Sequence, residues 1–192
     1  DLMVTYDYSV RSSSGSIIQF IYGNDGMDAT FVESQSLYLT KLSYKQLVNK
    51  FYFDDKTDWA KFYSKVTAKK AKESKKELYD NIFKNLLDHR EYLILVIFQG
   101  DIQNNINYPV HMNRIIENIT SKKGKSNMLP IDIVKGNKKL ISSLYVQEEF
   151  RNNKILEILV DIHLSPKILI SEYRIKRDEY KIIIKKIKEK FH

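Results

Sequence analysis

Three of the chain's six glycines, Gly15, Gly23 and Gly26, fall in its first fifth. Glycine reaches backbone angles that a Cβ penalises, so such a cluster marks chain reversals. These reversals flank SIIQFIY (Ser16 to Tyr22), a β-branched and aromatic run of strand type. The pattern predicts a strand near Ser16–Tyr22 and then a tight turn at YGNDGMD (Tyr22 to Asp28). Beyond Ser43 the apolar spacing changes to threes and fours, which is the period of a helix. The expected fold class is therefore α+β and helix-rich, with a small N-terminal β element followed by a mostly helical body.

Several helices can be placed from local chemistry. Ser43 is an N-cap for LSYKQLVNKF, and Thr57 or Asp58 caps a second helix through WAKFYSKV. TAKKAKESKKE has almost no apolar face and reads as solvated helix or loop. Leu78, Tyr79, Ile82, Phe83, Leu86 and Leu87 then form a stripe that faces a core. YLILVIF (Tyr92 to Phe98) suits a core strand or the end of a buried helix, being far shorter than the ~20 apolar residues of a bilayer span.

Gln99 to Pro109 reads as a loop, with Pro109 in the first turn of a helix carrying Ile115, Ile116 and Ile119. After the polar loop TSKKGKSNMLP come helical pieces at IDIVKGNKKLISSL, FRNNKILEILVDIHL, PKILISEY and RDEYKIIIKKIKEKF. Ser165 and Pro166 make a cap-and-first-turn pair for the third of these. The last is read as an amphipathic helix packing Ile182, Ile183 and Ile187 inward, in preference to a membrane or nucleic-acid surface helix.

At 192 residues and 43% hydrophobic content, the chain has material for a substantial core. It contains no cysteine, which excludes thiolate metal sites, cysteine nucleophiles and disulfides. DLMV at the start already has the texture of structure, so the chain is read as cut from something longer. The net charge of +8 points towards nucleic acid or acidic partners. However, it is mostly lysine, in company with the abundant Asn and Ile of A/T-rich codons, and arginine is scarce.

No catalytic, cofactor-binding or metal residue is assigned. His89, His111, His163 and His192 are widely separated and are read as surface or capping residues rather than ligands. No GxSxG, HExxH or P-loop is present. Asp25 and Asp28 offer the oxygen ligands Mg²⁺ takes, but carboxylates in a glycine turn also cap backbone N–H groups, and that role is favoured.

One resemblance goes beyond these residue-level readings. The chain begins DLMV and continues with Arg11, Gly15, Ile18–Gln19–Phe20, Tyr22–Gly23, Asp25–Gly26–Met27–Asp28, Glu33 and Gln35. In that order it resembles the largest-subunit family of eukaryotic RNA polymerase II, in the segment after the bridge helix. The likeness resumes at YPVHMNRIIENI (Tyr108 to Ile119), IDIVKG (Ile131 to Gly136) and EYRIKRDEY (Glu172 to Tyr180). It is loose between about residues 36 and 100. Asn24 and Ser34 depart from it, standing where the family usually has an acidic and often a basic residue.

The resemblance implies the foot region of the polymerase shelf module, between bridge helix and trigger loop. Residues 1–35 would join the polymerase body and 36–192 would form the foot domain. The parent reaction is DNA-templated nucleotidyl transfer in the nucleus, with Mg²⁺ held by an aspartate cluster elsewhere in the subunit. No NADFDGD-like run occurs here. The implied role is a non-catalytic structural and docking module. Its partners would be the rest of the subunit, other polymerase subunits and transcription or RNA-processing factors, with DNA met through the whole complex. The alternative is an independent basic nucleic-acid-binding domain. Gly23 and Gly26 are expected to supply the backbone angles of their turn, with Asp25 and Asp28 pinning it.

Overall fold

Ser43 starts the first helix of the body through a reciprocal capping box. Its Oγ accepts the Gln46 N–H at 3.4 Å, and Gln46 Oε1 accepts the Ser43 N–H at 2.9 Å. Helix α1 (Tyr44–Phe51) follows and buries Leu47 and Phe51. Ser43→Ala removes one of these bonds, so a loss of about 1 kcal/mol is expected in urea unfolding. A loss near zero would mean that the cap does not hold this helix.

The computed structural model describes residues 1–24, 30, 32–53, 59–64, 67–68, 76–99, 104–144 and 154–191. After α1 come α2 (Trp59–Phe62), α3 (Lys76–Tyr92), α4 (Met112–Ile119), α5 (Pro130–Ser143), α6 (Lys154–His163), α7 (Pro166–Ser171) and α8 (Arg177–Phe191). The fold is α+β and helix-rich, with a strand element ahead of a helical body. Helix α6 lies at the centre, packed against α3, α4 and α5. It buries Leu156, Ile158, Leu159, Val160 and Ile162, so it is apolar nearly all round, as an internal helix must be. Helix α8 packs on α4, burying Tyr180, Ile183 and Ile187.

Two small antiparallel sheets accompany the helices. The first has strand order β1 (Leu2–Val4), β2 (Val10–Ser12), β3 (Ile17–Gln19). It is closed by local turns, with Gly15 at φ +83° between β2 and β3. The sequence led us to expect a lone strand there; the residues before it supply two further strands. Thr5, Asp7, Ser9 and Arg11 bond to one another around the β1–β2 turn, and this holds the Asp7 carboxyl well below its usual range, the Ser9 hydroxyl first among the causes. Gly23 follows at φ +63°, as its place in the turn requires. Gly26, Asp25 and Asp28 lie outside the described residues, as do Thr57, Asp58 and His192.

The second sheet pairs β4 (Glu33–Ser36) with β5 (Asn105–Tyr108), Glu33 opposite Tyr108 and Ser36 opposite Asn105. β5 corrects the loop expected over Gln99 to Pro109: the polar NINY has little strand signature of its own and pairs because β4 is there. Pro109 likewise precedes α4 instead of opening it; the helix begins at Met112, capped by His111.

Other departures have equally local causes. α2 stops at Phe62, since Tyr63 forms a parallel bridge with Ser126 and donates its hydroxyl to Met128 O at 2.8 Å. Leu93–Ile97, within the run read as core strand or buried helix end, continues α3 as a π-helix. It buries Leu93 but exposes Leu95 and Val96. Ile182 is exposed, while Ile183 and Ile187 face inward. Pro166 opens α7 as expected, but the Ser165 side chain makes no capping bond.

Candidate functional site

Strand β4 places the first side chain of a cleft. Successive strand residues point to opposite faces, and in ESQS the buried position is Gln35. Its Nε2 donates to Val110 O at 2.9 Å across the chain, which turns Oε1 away from that partner. Gln35 Oε1 is buried and accepts no hydrogen bond from the described residues. Glu33, two residues earlier on the same face, is half-buried, pairing with Arg114 and lying 3.7 Å from Lys190.

The opposite wall comes from the ends of helices. His163 closes α6, and its Nε2 is buried without a hydrogen-bond partner among the described residues. Tyr38 meets the His163 ring edge-on, centroids 6.2 Å apart. Lys50, near the end of α1, sits 4.1 Å over the Tyr38 ring, a cation–π contact. His111 is engaged as the α4 cap, its Nδ1 accepting the Arg114 N–H at 3.2 Å. Tyr173 donates to Asn113 Oδ1 at 2.9 Å. With Ser36, Ile168 and Glu172 these residues line a cleft of about 410 Å³, within the size range of small-ligand sites.

Electrostatics favours neutral groups in this cleft. Burial first, then electrostatic repulsion from His111 and Lys50, pushes His163 down to about 4. Burial also raises the Tyr38 phenol above its ordinary range, with Glu172 adding to it. At neutral pH His163 is therefore an uncharged imidazole and Tyr38 a protonated phenol.

The structure redistributes the histidines that the sequence grouped together. His111 is a cap, as expected. His89 and His163 are buried, which corrects their expected surface position. His89 Nδ1 lies 3.3 Å from Asp161 Oδ2, outside hydrogen-bond geometry. Among the described residues no three His, Asp or Glu side chains converge as a metal site. Gln35 and His163 were not singled out as a pair by sequence. Their available signals were a polar residue at an inward strand position and an imidazole ending an apolar helix.

The second feature is a surface. In the N-terminal sheet Val10 is buried, whereas Leu2, Met3, Val4, Ile17 and Ile18 are exposed, and Phe20 beyond β3 is 81% exposed. Val10 is not among the residues of the main core. A run of strands this apolar, with its side chains uncovered, is the property of an interface.

Comparison with known proteins bears on both features. The family described as RNA polymerase Rpb1, domain 6, matches residues 27–192. Two proteins of Trypanosoma brucei brucei, the DNA-directed RNA polymerase II subunits RPB1-A and RPB1-B, are each 24% identical over 227 aligned residues. Each alignment covers all of this chain, which spans 13% of the length of either relative. The matched range takes in β4, β5 and helices α1 to α8.

Proposed function

Because the chain belongs to the RNA polymerase Rpb1, domain 6, family, we propose that it is a structural and docking module of the RNA polymerase II largest subunit, acting in transcription in the nucleus. The observation that carries the docking role is the set of uncovered apolar side chains on β1 and β3, which stand apart from the main buried core. Burying such residues is worth about 25 cal/mol per Å², so these side chains gain by being covered in an assembly. Their proposed cover is the rest of the largest subunit together with other polymerase subunits. The helical body, in turn, presents its surface to transcription or RNA-processing factors, and DNA is met through the whole complex.

The module is proposed to be non-catalytic. Nucleotidyl transfer uses Mg²⁺ held by clustered carboxylates. The described residues do not fit such a centre, since no three carboxylates or imidazoles converge among them.

The test is assembly. In a polymerase purified through a tag on a second subunit, a largest subunit carrying Ile18→Asp and Phe20→Asp is expected at less than about a tenth of the wild-type yield, two charges being costly in a buried contact. Tyr44→Asp, at an exposed position of the helical body, serves as control and leaves the yield unchanged. Wild-type recovery of the double variant would remove the basis of the docking role. The competing nucleic-acid-binding reading rests on the +8 charge. It requires affinity of the chain for duplex DNA to fall steeply and linearly in log–log form as salt rises.

A further inference from the structure

We propose that the surface formed by segment 121–129, α5 and α8 docks an acidic segment, rich in aspartate and glutamate, of another protein. The first observation is where the charge lies. Residues 121–143 and 176–191 hold thirteen Lys or Arg and four Asp or Glu, a net +9 that exceeds the +8 of the whole chain. The rest of the chain is therefore close to neutral. A/T-rich codons account for how many lysines there are, but not for their collection here. Helix α3, of similar length to α8, has three basic residues against four acidic ones, histidine aside.

The second observation is that folding joins these pieces. The Ser121 hydroxyl donates to Glu179 Oε1 at 2.9 Å, and the Arg177 N–H to Asn127 Oδ1 at 2.8 Å. Arg177 also pairs with Asp132 at 3.2 Å, and the Tyr180 hydroxyl donates to Asn137 Oδ1 at 2.8 Å. Lys135 and Lys139 lie four residues apart on α5, while Lys181, Lys185 and Lys188 follow at four and three on α8. Each set therefore shares one face of its helix, and like charges at these spacings destabilise it. All five are exposed except Lys188, which is half-buried. Among the described residues only Lys185 of the five has an ion-pair partner, Glu189 at 3.5 Å. A surface that gathers repelling cations gains when an anionic partner covers it.

The side chains select the kind of anion. Phosphate and base edges are read best by the guanidinium fork, but the one arginine here, Arg177, is engaged by Asp132. Single strands also need aromatic platforms, and Tyr180 is buried. Lysines on flexible stems suit carboxylates spaced along a peptide. This inference rests on the docking role and extends it to the helical body, on a surface different from the N-terminal sheet.

The test is fluorescence anisotropy of a dye-labelled deca-glutamate peptide titrated with the chain, against a short DNA duplex of matched charge. The peptide is expected to bind more tightly than the duplex. At about 0.15 M salt, exposed charges more than about 8 Å apart are largely screened. Lys181→Glu with Lys185→Glu, and separately Lys135→Glu with Lys139→Glu, should each weaken the peptide at least about tenfold. Lys45→Glu with Lys84→Glu makes the same charge change at exposed positions of α1 and α3, and should weaken it less than about twofold. Should one pair fail to fold, the other pair and the unaltered chain's choice of probe still decide. Tighter binding of the duplex, no binding of the peptide, or a loss in the control pair equal to the others would overturn the proposal. Assembly yield of the Ile18 and Phe20 variant is read separately, so failure of this docking face and failure of the N-terminal one are distinguishable.

Discussion

Gly136→Val is expected to lower the stability of the chain by about 3 kcal/mol, read as a fall of roughly 10 °C in Tm. Gly136 lies within α5, where glycine is normally about 1 kcal/mol worse than alanine. Space is what keeps it there. A Cβ at this position would stand 2.8 Å from Cε1 and 3.0 Å from Cζ of Tyr180, closer than carbon atoms pack. Tyr180 cannot yield easily. Its hydroxyl donates to Asn137 Oδ1 at 2.8 Å and reaches Ile133 O at 3.2 Å, and Asn137 in turn donates to Leu164 O at 2.9 Å. The residue thus lets α5 and α8 approach through one buried ring. Gly136→Ala in a Tyr180→Ala background should cost nothing further, because the obstructing ring is gone. A Gly136→Val chain that melts with the wild type would show that the ring can move and that the contact is not limiting.

Acidification should destabilise the fold through His163. Its folded pKa of about 4 lies below the ordinary 6.5. Above pH 6.5 the ring is neutral in both states and its stabilising contribution is complete. As pH falls from 6.5 towards 4 the unfolded chain takes up a proton that the folded chain refuses, so stability drops. At 1.36 kcal/mol per pH unit the loss is about 3 kcal/mol. Urea unfolding of the wild type and of His163→Leu at pH 7 and at pH 4 isolates this loss, since carboxylates titrating in both chains cancel. The wild type should lose about 3 kcal/mol more than the variant. Parallel losses would mean that His163 is protonated inside the fold.

What could be read from the sequence was whatever its near neighbours determine. Ser43 was visible as the cap of its helix from the residues beside it, although its reciprocal partner Gln46, three residues on, was not singled out. The stripe from Leu78 to Leu87 needed only the period of a helix to show its inward face, and the RNA polymerase resemblance needed only ordered short motifs. Distant partners were invisible. Asn105–Tyr108 becomes a strand because β4 lies beside it, and NINY announces nothing of the kind. Leu95 and Val96 have the composition of a core, yet the π-helical turn carries them outward. The cleft was least legible of all: Gln35 and His163 come from opposite ends of the chain, and neither is unusual until folding brings them to one cavity. Gly136 was legible as part of IDIVKG, but its reason, the Tyr180 ring, lies a helix away.

The pairing of β4 with β5 also sets an order of events during synthesis. The strands β1, β2 and β3 find one another within a few residues, so that sheet can form as soon as it leaves the ribosome. β4 must wait for a partner about seventy residues downstream. At about 5–20 residues per second that is a delay of roughly 4–14 s, during which its backbone donors and acceptors are open to any passing strand. The waiting strand is ESQS, charged at its first position and without an apolar side chain. Such a segment is a poor template for aggregation. The apolar strands are those whose partners arrive at once, and the strand left waiting is the one that can be exposed safely.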